Sequence, residues 1–153
     1  MRLTRLFSLS LVLLASAGCS TTQQVTLAKS EFSKPISTVA QVSADGNSPQ
    51  MDTNLETAVA KEGLPLKAKL PAGTRTSKEV DALVSYVDVW RWDIIMYMKN
   101  LTVKIHDADT GDLLAIGEWS DSALHGFRDA KLVMNGLVAE VFAKIKASTK
   151  PSK

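Results

Sequence analysis

The sequence predicts an α+β fold: a two-layer sandwich in which a mainly antiparallel sheet of about five strands carries two helices on one face. Three observations point there. Residues 83–119 hold runs whose apolar positions alternate with period two, the mark of half-buried strands. Residues 130–145 carry a broad apolar stripe at helical spacing. The elements follow in the order β-α-β-β-β-β-α, a βαβ unit and then a meander closed by a helix.

Taken in order, Ile36 to Ser43 (ISTVAQVS) alternates and is rich in β-branched residues, which predicts a first strand. Asp45-Gly46-Asn47 turns the chain. Ser48 then supplies an N-cap and Pro49 a first helical residue, where its missing N–H is not needed. Met51, Leu55, Ala58, Val59 and Glu62 recur at helical spacing, and Gly63 stops the helix. Leu64 to Leu70 (LPLKAKL) reads as a second strand, with Pro65 placing it at an edge or at a strand start. Pro71-Ala72-Gly73 opens a loop.

Leu83 to Asp93 (LVSYVDVWRWD) places Val84, Tyr86, Asp88, Trp90 and Trp92 on one face, and Leu83, Val87, Val89 and Arg91 on the other. The run continues through Ile94 to Met98 with a bend near Asp93. Leu101, Val103 and Ile105 alternate with Thr102, Lys104 and His106 in the next strand. Asp109-Thr110-Gly111-Asp112 is a Gly-containing hairpin turn, and Leu113 to Trp119 returns as the last strand. From near Phe127, Ala130, Val133, Met134, Leu137, Val138, Val141, Phe142 and Ile145 form one stripe, so this helix lies on the sheet.

The N-terminus belongs to a different category. Arg2 and Arg5 precede the apolar run Leu6 to Ala15, which is too short to span a bilayer, since spanning takes about 20 residues. A basic segment, a short apolar run and small residues after it describe a secretory signal peptide over residues 1–18. Ser16-Ala17-Gly18-Cys19 resembles the lipobox of bacterial lipoproteins, although Ser16 stands where that motif most often has Leu. The resemblance implies lipidation of Cys19, with fatty acyl chains as the membrane anchor. By the same pattern, Ser20 after the Cys implies the periplasmic side of the outer membrane. Cys19 is the only cysteine, so it has no partner for an internal disulfide. Ala15-Ser16-Ala17 also reads as an A-x-A cleavage site, which would release a soluble periplasmic protein after Ala17.

Residues 19–34 then read as a lipidated N-terminus and polar flexible tether, 35–146 as one domain, and 147–153 as a disordered basic tail. The chain has 18 Lys+Arg against 16 Asp+Glu. Arg2 and Arg5 fall in the signal peptide, so the rest is balanced. This argues against nucleic acid, which calls for a concentrated basic surface.

Tyr86-Val-Asp-Val-Trp90-Arg-Trp92-Asp93, the Asp107-Ala-Asp-Thr-Gly111 hairpin and the C-terminal amphipathic helix together resemble a set of small bacterial lipoproteins. These share a Trp-x-Trp-Asp strand, an Asp-x-x-Thr-Gly-type hairpin and such a helix. The resemblance covers roughly residues 80–145. It implies an exported α+β lipoprotein and carries no activity with it.

Trp90, Trp92 and Asp93 form the most distinctive local group. As a binding surface, the two indoles would be a stacking platform for a sugar or a partner. As structure, one or both pack against a helix or across the strand pair while Asp93 caps a bend; aromatics favour half-buried sheets, so this is the reading expected. Asp107, Asp109 and Asp112 resemble calcium ligands only loosely: Gly111 is one position early and no distal Glu follows, so a plain turn is expected. His106 and His125 are the only histidines and have no metal-ligand spacing. Ser120 and Ser122 occupy no nucleophile motif. Asp88 with Asp93, on opposite strand faces, and Glu118 with Asp121 do not make a carboxylate pair, and all are expected at the surface.

The expected function is a lipid-anchored, non-enzymatic binding or accessory module of the cell envelope, without cofactor or metal. Its partners would be the membrane, through Cys19, and an envelope protein or peptidoglycan. The rivals are a cell-wall hydrolase or transferase and a small-ligand or lipid carrier, although a two-layer sandwich leaves little interior for a cavity.

Overall fold

A computed structural model describes residues 21–29, 32, 34–122 and 126–149. The expected signal peptide, Cys19 and His125 lie outside the described residues. The fold is the expected α+β class, with six strands instead of about five. In chain order these are β1 (Thr22–Leu27), β2 (Val39–Val42), α1 (Pro49–Lys61), β3 (Leu66–Leu70), β4 (Ala82–Trp92), β5 (Met96–Asp107), β6 (Leu113–Ser120) and α2 (Ala130–Ser148). They form one mixed sheet in the order β1-β6-β5-β4-β2-β3. Along β1-β6-β5-β4 each adjacent pair is antiparallel, and β2 joins β4 and β3 in parallel.

The additional strand is β1, in the segment expected to be a tether. Of its six side chains only Val25 is buried, so its sequence shows almost no apolar alternation. The tether reading fails again at Phe32, which is buried in the core and bridges Thr149 beyond the end of α2. At the other terminus, α2 runs through Ala147 and Ser148, residues expected in the disordered tail.

The helical layer covers one face of the sheet. Val25, Gly117, Val103 and Tyr86 form a row across four strands on that face. Against such rows pack Met51, Leu55, Ala58 and Val59 of α1, and Met134, Leu137, Val138, Val141, Phe142 and Ile145 of α2. α1 starts as its sequence requires: the Ser48 Oγ accepts from the Met51 N–H, and Pro49 follows the cap. α2 starts three residues later than Phe127, because the Asp129 carboxylate accepts the Lys131 and Leu132 N–H groups and so defines the first turn. β3 lies at the sheet edge, where Pro65 just ahead of it interrupts no ladder.

The far face carries a smaller cluster of Ala40, Val42, Val80, Leu83 and Ala108. Beyond it this face is open, with Val87 half-exposed and Thr102, Lys104 and Glu118 at the surface or partly so.

Candidate interaction site

The two ends of the sheet differ in chemistry. At the β5–β6 turn, the Asp107 Oδ1 accepts the N–H groups of Asp109 and Thr110, and Gly111 takes φ 77°, a backbone conformation natural to glycine. Asp109 pairs with Lys34 at 2.8 Å and Lys78 at 3.3 Å, and Asp112 pairs with Lys29 at 3.0 Å. The three carboxylates considered as loose calcium ligands thus shape a turn and hold lysines. Lys34, beside Asp109, is pushed above the usual lysine range by that hydrogen bond. A cleft of about 310 Å³ at this end is lined by Lys29, Lys34, Phe32, Asp107, Asp112 and Ile145.

The opposite end is apolar. β4 and β5 form a long hairpin whose turn is Asp93-Ile94-Ile95, with the Asp93 N–H donating to the Ile95 carbonyl at 3.2 Å. The expected strand continuing through Ile94 to Met98 with a bend is thus a tight reversal at residues 93–95. Relative exposure is 72% at Trp92, 83% at Ile94, 50% at Ile95 and 53% at Met96. Solvent-facing apolar side chains in sequence mark a contact surface or a liability. Beside the hairpin, Phe127 takes φ 45°, uncommon for a bulky residue, and its ring meets Tyr97 edge-on at 6.0 Å. Leu132, in the first turn of α2, is 68% exposed.

The structure separates the Trp-x-Trp-Asp residues. Trp90 is half-buried against the core, and its Nε1 donates to the Asp88 Oδ2 at 2.6 Å. Trp92, on the same strand face, extends beyond the helical layer into solvent. The structural reading therefore holds for Trp90 and fails for Trp92. A register shift between Val89 and Trp90 sets Trp90 opposite Met98, itself buried. Asp93 is in the exposed turn.

The expectation that the carboxylates are superficial is also corrected. Asp88 is 9% exposed and Asp121 5%. Ser48 Oγ donates to Asp88 Oδ2 at 3.2 Å, while Asp88 Oδ1 has no hydrogen-bond partner. Asp121 Oδ1 accepts the Ser122 N–H at 2.9 Å, and its Oδ2 has none. The two lie on opposite sides of β5, not on one cleft. Ser120 Oγ donates to the Asp121 carbonyl, and Glu118 is exposed. His106 is partly buried, and burial, then the Lys104 charge, lowers its pKa. Among the described residues no group of three His, Cys, Asp or Glu side chains is arranged to hold a metal ion.

Sequence reasoning missed a polar network under α1. Asp52 Oδ1 accepts from the Tyr86 hydroxyl and from Gln41 Nε2, each at 2.6 Å, and Oδ2 accepts from Lys69. Burial pushes the Asp52 carboxyl up, but Lys69, Tyr86 and Gln41 together outweigh it and hold the group below the usual carboxylate range. Burial, then Asp52, pushes the Tyr86 phenol far above its ordinary value. Asp52 sits at the foot of α1 and shows no motif, so only the three-dimensional neighbourhood reveals it.

With the geometry in place, the class of molecule is clear: an open mixed sheet covered on one face by two helices, polar at one end and apolar at the other. No known protein family matches the chain by sequence, and no curated protein sequence matches it either. Among solved structures it is similar to PelC from Paraburkholderia phytofirmans, a dodecamer, at TM-score 0.56 and 12% identity, over 86% of this chain and 100% of that chain. A variant of the same protein in another crystal form aligns at 0.52 and 14% identity, with the same coverage. A PDZ domain protein from Parabacteroides distasonis aligns more loosely, at 0.44 and 12% identity, over 93% of this chain and 40% of that chain. At these identities the likeness to PelC is one of fold.

Proposed function

We propose that this chain is a lipid-anchored, non-enzymatic module of the bacterial cell envelope, and that its working surface is the hairpin end of the sheet. The single observation that carries the reading is the run of exposed apolar side chains at Trp92, Ile94, Ile95 and Met96. A folded monomer gains nothing from displaying Trp and Ile on a projecting turn, and large exposed apolar patches commonly mark interaction sites. The carboxylates that would serve hydrolysis are committed elsewhere: Asp88 to Trp90, Asp109 and Asp112 to lysines. The lipobox-like Cys19 supports the anchor, and Ser20 after it supports the outer-membrane, periplasm-facing location.

A photo-crosslinker at Ile94 in intact cells is the direct test. The expected result is an adduct at the tip, with lipid or protein, while the same probe at Lys67 on the edge strand β3 stays unlinked. Equal capture at both positions would remove the tip from consideration. In parallel, Cys19→Ala is expected to abolish acyl labelling; fatty-acid label on that variant would refute the anchor.

A further inference from the structure

We propose that the β4–β5 hairpin tip is a second membrane contact, placing Trp92, Ile94, Ile95 and Met96 in the interface of the same leaflet that holds the acyl chains of Cys19. The proposal rests on the anchor reading above and names the partner of the hairpin end. Strand register supplies the argument. Thr22 pairs with Ser120, Ser120 with Asn100, and Asn100 with Val89, so the start of β1 and the base of the projecting hairpin share one row across the sheet.

From that row the hairpin continues for four residues, Val89 to Asp93, a reach of about 13 Å at ~3.3 Å per residue. Thr22 is the third residue after Cys19, a span of at most about 11 Å when extended. An anchor on Cys19 therefore brings the bilayer surface to the end of the molecule where the apolar tip projects, and to about the same height.

The chemistry of that end fits an interface. Trp is favoured at the boundary between headgroups and acyl chains, where the indole is half apolar and half polar. Ile94, Ile95 and Met96 add apolar area beyond it. Phe127 and Leu132, both exposed, stand on the neighbouring loop and helix start. Arg91, Arg128 and Lys131 lie at the same end, placed for anionic headgroups, with Asp93 and Asp129 as the opposing carboxylates. Asp129 already accepts two N–H groups at the α2 start. The Lys29–Asp112, Lys34–Asp109 and Lys78–Asp109 pairs occupy the far end, which then faces away from the lipid.

The test uses the full-length acylated protein, its acyl chains confirmed by mass, in phosphatidylethanolamine/phosphatidylglycerol vesicles with brominated acyl chains. Subtracting the emission of a Trp92→Phe variant isolates Trp92 from Trp90 and Trp119. Bromine near the headgroup end is expected to quench the Trp92 signal by about half or more, and aqueous acrylamide access is expected to fall severalfold on membrane binding. Ile94→Asp, at a side chain that is 83% exposed, should restore acrylamide access without loss of folding. An acylated protein whose Trp92 stays open to acrylamide and unquenched by bromolipid overturns the proposal and leaves the anchor standing. Protection from both quenchers means that protein, including a second copy of this chain, covers the tip, and overturns it as well. A mature chain without acyl groups overturns the anchor reading and this proposal together.

Discussion

Truncating Trp90 to Ala removes a half-buried indole and its hydrogen bond to Asp88, leaving a buried carboxylate with both oxygens poorly satisfied. The expected cost is about 3 kcal/mol, the lower end for buried aromatics. Trp92→Ala, two residues on, removes a side chain that is mostly in solvent and should change stability by less than ~0.5 kcal/mol. Denaturant unfolding of the two variants checks the pair; equal costs would mean that the hairpin end is packed in solution. Asp52→Asn is expected to cost about 1–3 kcal/mol at neutral pH, since hydrogen bonds to a charged group are lost. Its carboxyl is held below the usual range in the folded chain, so the stabilisation is present above the unfolded value of about 4 and disappears as pH falls through the folded one. Wild type and variant should therefore converge below about pH 4 in a pH series of unfolding midpoints. Alternation along β4 correctly put both indoles on one face, but alternation carries no information on where the helical layer stops. Trp90 falls under that layer and Trp92 falls beyond it.

At the level of elements, α2 rests on β6 through a gap in side-chain volume. A Cβ on Gly117 would meet the Val141 Cγ2 at 2.6 Å and the Leu137 Cδ1 at 3.0 Å. Both partners are fully buried, so Gly117→Ala should force the helix outward and cost about 1–3 kcal/mol, as overpacking does. Leu137→Ala leaves a cavity against the same glycine and should cost ~2–5 kcal/mol. Thermal unfolding of both variants reads this directly, and an unchanged midpoint for Leu137→Ala would place the stripe away from the sheet. The stripe itself was legible, as were the Ser48-Pro49 start of α1 and the edge position of β3, because each has a local chemical cause. β1 was not. Thr22, Gln23, Gln24 and Thr26 face solvent at a sheet edge, and a single buried Val25 gives no period to detect. The turn at Asp93-Ile94-Ile95 was hidden for the converse reason: it lacks the Gly or Asn that marks most tight hairpins, so the run reads as unbroken strand.

For the molecule as a whole, polarity runs along the strands. Six-stranded register places the apolar tip at one end and paired lysines at the other, a division that no linear stretch of sequence displays because each end is assembled from segments far apart in the chain. Amine-selective labelling of the vesicle-bound protein should follow this axis. Lys29, Lys34 and Lys78 are expected to label as they do in solution, and Lys131, at the tip end, to be shielded. Uniform labelling would contradict the orientation.

The antiparallel pairing of β1 with β6 has a mechanical consequence. Tension applied at Thr22 along the strand axis loads all six registered pairs, Thr22–Ser120 through Leu27–Ala115, at once and in shear. The same ladder pulled from Leu27 across the sheet would open one rung at a time, at lower force. Under the proposed anchor on Cys19, a tug between bilayer and domain would be borne by the joint in its strong direction, with β1 acting as a rivet.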